Sequence, residues 1–100
     1  MSAMSRLAVF ATIKPKPEFL DEAKHAILAI ISETRAEKGC HTFSLHEDET
    51  QHGKLYLYEI WDNAAALDAH YAMPYTKTVF AAYQDWLAEP VAVTKMSIVK

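Results

Sequence analysis

No stretch leaves this chain fewer ways to fold than LYLYEIW, residues 55–61. Aromatic and branched residues crowd it, and a strand sends successive side chains to opposite faces. Leu55, Leu57, Glu59 and Trp61 then share one face, and Tyr56, Tyr58 and Ile60 the other. Both faces are apolar, so each needs a cover, and one of them carries a carboxylate that must be accounted for.

The flanking segments supply one cover. Leu7, Val9, Ala11 and Ile13 alternate with Ala8, Phe10 and Thr12, which predicts a first strand, ended by Lys14-Pro15-Lys16-Pro17. Pro17 suits a first helical position, with Glu18, Asp21 and Glu22 near the positive end of the helix dipole. Phe19, Leu20, Ala23, Ile27, Ile30, Ile31 and Thr34 keep a three-four spacing, which predicts a long amphipathic helix that Gly39 can terminate. Strands at about Cys40–Glu47 and Lys54–Trp61 should pair as a hairpin through a polar connection containing Gly53. Asp62 is a natural N-cap for a helix through Tyr71. Pro74 opens another helix, carrying Val79, Phe80, Tyr83 and Leu87 inward, and Pro90 ends it. Val91 to Val99 reads as a fourth strand.

This order of elements is the split β-α-β pattern of an α+β, ferredoxin-like sheet with its helices on one face. The opposite face would show Tyr56, Tyr58 and Ile60, an apolar patch of the kind that marks an association surface. A homodimer with its two sheets face to face is therefore expected, giving a dimeric α/β barrel. The 100 residues read as a single domain, with residues 1–5 as a short flexible N-terminus.

Charge and cysteine content exclude several classes. A formal net charge of -3 argues against nucleic acid, because neutralising phosphates needs a concentration of Lys and Arg. The acidic run His46-Glu47-Asp48-Glu49 reads as a solvated turn and lacks a metal-ligand spacing, so no metal is assigned. The single cysteine, Cys40, cannot form an intrachain disulfide. Arg6 ahead of Leu7–Ile13 mimics a signal peptide, but Lys14 and Pro15 stand where a small-residue cleavage site belongs. No run is long enough to span a bilayer, and a cytoplasmic location is expected.

If Leu55, Leu57 and Trp61 lie beneath the helices, Glu59 points into the space between sheet and helix, where a carboxylate must be hydrogen-bonded, paired or protonated. His70, one turn after Leu67, can project from the same side of its helix toward that space. Two readings stay open. The pair is a general base with an orienting partner beside Trp61 as a flat wall, or it is a structural network fixing helix on sheet. Tyr75, Tyr83 and Trp86 could edge a pocket or simply pack. His25 reads as solvated and His52 as a turn residue, and no phosphate loop, dinucleotide fingerprint or nucleophile elbow is present.

TRAEKGCHTFSLHEDE followed by LYLYEIWDNAAALDAHYAMPY resembles the antibiotic biosynthesis monooxygenase family, small dimeric α+β barrels. The resemblance rests on Gly39-Cys40 with Phe43 and Leu45 following, and on Glu59, Trp61 and the downstream His70. It implies a pocket between sheet and helices and an oxygenase that takes quinols or polycyclic phenols as aromatic substrates. Such enzymes use O2 without any cofactor. It also implies His70 as proton acceptor, Glu59 as orienter or alternative base, Trp61 as stacking surface, and Phe43, Tyr75 and Tyr83 against the substrate. A haem-degrading branch carries an asparagine on the first strand, which LAVFATI lacks. Other members isomerise a small phosphorylated metabolite, and a non-catalytic dimer binding a planar ligand is the remaining alternative.

Overall fold

The computed structural model describes residues 6–100, so the expectation for residues 1–5 lies outside the described residues. Strands β1 (Leu7–Ile13), β2 (Cys40–Glu47), β3 (Leu55–Trp61) and β4 (Ala92–Ser97) form one antiparallel sheet in the order β2-β3-β1-β4. Helices α1 (Leu20–Arg35), α2 (Ala64–Tyr71) and α3 (Pro74–Trp86) complete an α+β, ferredoxin-like fold. The helices cover a single face of the sheet. Val9, Ala11, Ile13, Leu55, Leu57 and Trp61 from the strands join Ile27, Ile30, Leu67 and Val79 from the helices in one core.

Most boundaries follow the chain's local chemistry, and four differ from the sequence reading. Pro17 opens a single 3-10 turn, Pro17–Phe19, and the α-helix proper starts at Leu20. That helix stops at Arg35, ahead of Gly39, and Arg35 Nε donates to the carbonyl of Phe43 at 3.0 Å, fastening the helix end to β2. Asn63, and not Asp62, caps α2: its side-chain oxygen accepts from the Ala66 amide at 2.9 Å. Leu87 leaves α3 because the chain there is captured by the first loop, with Leu87 bridging to Pro15 and the Ala88 amide donating to the Lys14 carbonyl at 2.9 Å.

Gly39 brings the end of α1 against the start of α2. Its φ is +95°, a conformation that favours glycine, and a Cβ there would sit 2.8 Å from the Ala66 Cβ. Its carbonyl accepts from the Asp62 amide at 2.8 Å. This close approach brings the turn after α1 beside α2.

β3 has the predicted two-faced character. Leu55, Leu57, Glu59 and Trp61 are all buried beneath the helices. On the other face Tyr58 pairs with Phe10, and each is 38% exposed. The remaining edge is thin: along β4 only Met96 is even half-buried. Among the described residues no helix is long and apolar enough to cross a membrane.

Candidate functional site

Glu59 stands on the inner face of β3 between Val9 of β1 and Phe43 of β2, both buried core residues. Burial, its largest influence, holds the Glu59 carboxyl above its ordinary range, against the opposing pull of the Trp61 hydrogen bond and of His70 nearby. Trp61 Nε1 donates to Glu59 Oε1 at 2.9 Å. His70 reaches the same region from α2, its ring 4.8 Å from the Trp61 ring and 5.5 Å from the Phe43 ring, centroid to centroid. Both Glu59 and His70 are 4% exposed.

Between them lies a cavity of about 30 Å³. Glu59, His70, Phe43, Tyr71, Thr76 and Tyr83 contribute to its wall, and the rest is aliphatic apart from Phe80. No Lys or Arg is among its lining residues. Phe80 and Val91 also line two larger surface hollows, of about 480 and 590 Å³, on the β4 side of α3. Phe80, expected inward, is 40% exposed and meets Tyr71 and Tyr83 edge to face. It stands between the inner cavity and the outside.

The tyrosines of the wall are held as phenols. Burial first, and then the Glu59 carboxylate, push both Tyr71 and Tyr83 upward. Each keeps its O–H as a donor at neutral pH.

The sequence profile of the antibiotic biosynthesis monooxygenase family matches residues 6–86. The chain belongs to this family. A Mycobacterium tuberculosis protein named "Putative monooxygenase Rv0793" is 34% identical over 93 residues, which cover 93% of this chain and 91% of that one. Its solved structure superposes with a TM-score of 0.91 over 96% of this chain and 97% of the other, at 33% identity. A crystal structure described as an antibiotic biosynthesis monooxygenase matches at 26% identity with a TM-score of 0.87, covering 94% of this chain and 99% of that one. An uncharacterized Synechocystis protein, sll1783, is 34% identical over 87 residues, and the match spans 87% of this chain but 59% of that protein's length.

Within this antibiotic biosynthesis monooxygenase domain, four of the six residues singled out from the sequence come together at the cavity: Glu59, His70, Phe43 and Tyr83. Trp61 does not stand on the wall as a stacking surface. It is fully buried and spends its N–H on Glu59, so its observed place is behind the carboxylate. Tyr75, expected as a wall, instead donates its hydroxyl to Glu37 Oε2. Glu59 is not seen orienting His70 through a hydrogen bond; His70 Nδ1 lies 2.9 Å from Glu37 Oε2, with Thr76 Oγ1 at 3.4 Å.

Sequence reasoning missed Glu37, Tyr71, Thr76 and Phe80. Glu37 lies 33 residues from His70 and belongs to no periodic face. Its one sequence signal is its position two residues before Gly39, whose turn folds the segment back onto α2.

The remaining reactive side chains lie elsewhere. Burial, then Glu37 and Glu59, raise the Cys40 thiol to about 11, so it stays protonated and weakly nucleophilic at neutral pH. His41 turns to the Asp62 carboxylate on the exterior. In the acidic run, Asp48 Oδ1 accepts from the amides of Thr50 and Gln51 at 2.9 and 2.8 Å, the solvated turn expected from the sequence.

Proposed function

We propose that this protein is a cofactor-independent monooxygenase that oxidises a quinol or a phenolic polycycle with O2, with His70 as proton acceptor and Glu59 as an alternative base. The observation that carries the reading is that Glu59 and His70, both buried, line one apolar cavity. A histidine in solvent, or a carboxylate sealed in by backbone donors, would have left no basis for it.

The chemistry places few demands on a protein. Removing the phenolic proton gives an anion electron-rich enough to pass an electron to O2, and recombination of the two forms a carbon–oxygen bond. Loss of water then leaves a new carbonyl: one oxygen atom stays on the ring, and the other departs as water with the two hydrogens the substrate gives up. The site must take a proton and exclude bulk water from the oxygen adduct. His70 and Glu59 serve the first need, and the aliphatic wall the second. The O–H groups of Tyr71 and Tyr83 can donate to the oxygen that becomes negative.

The lining of the cavity also favours a phenol over a phosphorylated metabolite. A phosphorylated metabolite would bring negative charge to a wall that carries Glu59 and no Lys or Arg, an uncompensated burial. A planar phenol meets apolar atoms and a base. At about 30 Å³ the inner space holds little more than water, so a two-ring substrate enters by moving Phe80 and merging the cavity with the hollows outside it.

The active form in this proposal is a homodimer, with the exposed Phe10, Tyr58 and half-buried Ile60 face of one sheet against the same face of a second copy, in the manner of a dimeric α/β barrel. The deciding experiment is oxygen uptake by metal-free protein with a panel of naphthoquinols and phenolic polycycles, wild type against His70→Ala. Uptake above autoxidation that vanishes in the variant supports the reading. Uptake equal in the two proteins removes His70 from the mechanism, and no uptake on any compound leaves a ligand-binding module.

A further inference from the structure

We infer that Glu37 is the positioning residue of this site: it fixes the tautomer of His70, so that Nε2 is the basic atom facing the cavity. The inference rests on the reading of His70 as a base, but its geometry stands without that reading. Glu37 Oε2 and His70 Nδ1 are 2.9 Å apart, with their side chains 6% and 4% exposed. A carboxylate accepts hydrogen bonds and cannot donate them, so the shared proton sits on Nδ1. In the neutral ring the lone pair then belongs to Nε2.

The surroundings hold Glu37 to that role. Tyr75 donates its hydroxyl to the same oxygen, Oε2. Burial first and then the Glu37 carboxylate push the Tyr75 phenol well above its ordinary range, so Tyr75 remains a donor. Thr76 Oγ1, the other polar atom near Nδ1, is at 3.4 Å and can give the ring a second contact without displacing Glu37. The acceptor is thus fed from α2 and α3 together, while Gly39 holds its own segment against α2.

The hydrogen bonds of the His70 ring among the described residues are all at Nδ1, and His70 lines the cavity. With Nδ1 turned to Glu37, Nε2 is the ring nitrogen left for the cavity. Glu59 faces that cavity from the sheet, with one oxygen already taken by Trp61. The two carboxylates have separate tasks: Glu37 orders the ring from behind, and Glu59 shapes the charge in front of it.

The test reads the tautomer directly. Imidazole nitrogen-15 NMR of the full chain, at a pH where the His70 ring is neutral, is expected to show Nδ1 protonated and Nε2 bare. Glu37→Ala should shift the ring toward the Nε2–H form. Glu37→Gln, which can accept or donate at this position, should give a mixture and retain more activity than Glu37→Ala. With a confirmed substrate, Glu37→Ala should lower kcat by about 10²-fold and leave KM nearly unchanged, since Glu37 does not line the cavity. Circular dichroism and melting of both variants separate this from unfolding; if Glu37→Ala does not fold, the wild-type tautomer and Glu37→Gln decide. A protonated Nε2 in the wild type, or a tautomer unmoved by both variants, overturns the inference. If the wild type shows no oxygen uptake but the tautomer follows Glu37, the proposed reaction fails and the positioning role stands.

Discussion

The two faces of β3 carry the same share of large side chains and opposite fates. On the inner face Leu57, Glu59 and Trp61 are buried, and the polar atoms among them find partners: indole with carboxylate, and the neighbouring imidazole with Glu37. On the outer face Tyr58 and Phe10 stay 38% exposed, while Tyr56 stacks on Phe10 with ring centroids 5.4 Å apart and donates its hydroxyl to the Asp48 carboxylate. A carboxylate is tolerated inside because a donor is built beside it, whereas the outer aromatics form an exposed apolar patch of the kind that marks an association surface. In the proposed reading, alternation along one strand separates chemistry from association, and changes on one face should leave the other property untouched.

The sharpest break in this comparison is expected in turnover. Removing a positioned proton acceptor costs about 10²- to 10⁴-fold in rate, so under the proposed reaction His70→Ala and Glu59→Gln should both lose that much oxygen uptake while remaining folded. Glu59→Gln keeps an oxygen to accept from Trp61, so its loss isolates the charge. Turnover in Glu59→Gln within a factor of two of wild type would reduce Glu59 to a structural acceptor.

The next effect is on stability. Leu67 is fully buried one turn before His70, and it anchors α2 to the core. Leu67→Ala should cost about 2–5 kcal/mol by chemical denaturation, because Leu67 is the fully buried aliphatic side chain of a short helix whose other buried residue is His70. A loss below that range would mean that the Glu37–His70 pair carries the docking of α2.

A smaller effect separates the buried carboxylate from solvated ones. Because the folded-state pKa of Glu59 lies above its ordinary value of 4.5, the folded protein binds the proton more tightly than the unfolded chain. Stability that protonated Glu59 gives is full below the unfolded pKa and is lost as pH rises through the folded one. Relative to Glu59→Gln, the wild type should therefore become progressively less stable as pH climbs from that value, levelling off once the buried carboxyl has ionised. Melting curves of the two proteins across pH 4 to 8 test this. Parallel curves would mean that donors in the site cancel the cost of burial.

These expectations indicate how far the sequence was legible. The face of Glu59 could be read because a strand has a period of two, and His70 because it follows Leu67 by one turn. The strand order follows from the order of elements and short connections. What escaped has a common physical cause: it depends on meetings between segments distant in the chain. Glu37 meets His70 through the tight approach at Gly39, and Phe80 is exposed because α3 leaves the β4 side of the cavity open. The exchange of Asp62 for Asn63 as N-cap is different in kind. Both residues cap well, and only the backbone path decides which side chain reaches the Ala66 amide.

The smallest change to the fold itself is expected on the outer face. Tyr58 makes no aromatic pair among the described residues, and its strand neighbours there are Phe10 and Ser44. Tyr58→Lys should therefore shift monomer stability by no more than about 0.5 kcal/mol, the range of surface substitutions. It would also place a charge at the centre of a face proposed to meet its own copy, so that two lysines approach across the symmetry axis. Sedimentation velocity over a concentration series should show the wild type as a dimer and the variant as a monomer, with melting compared at a dilution where both are monomeric. A Tyr58→Lys protein that remains dimeric would move the association surface to the exposed β4 edge. A variant that is monomeric but markedly unstable would mean that the two faces of β3 are coupled, and that the cover over the tyrosines also holds the cavity in shape.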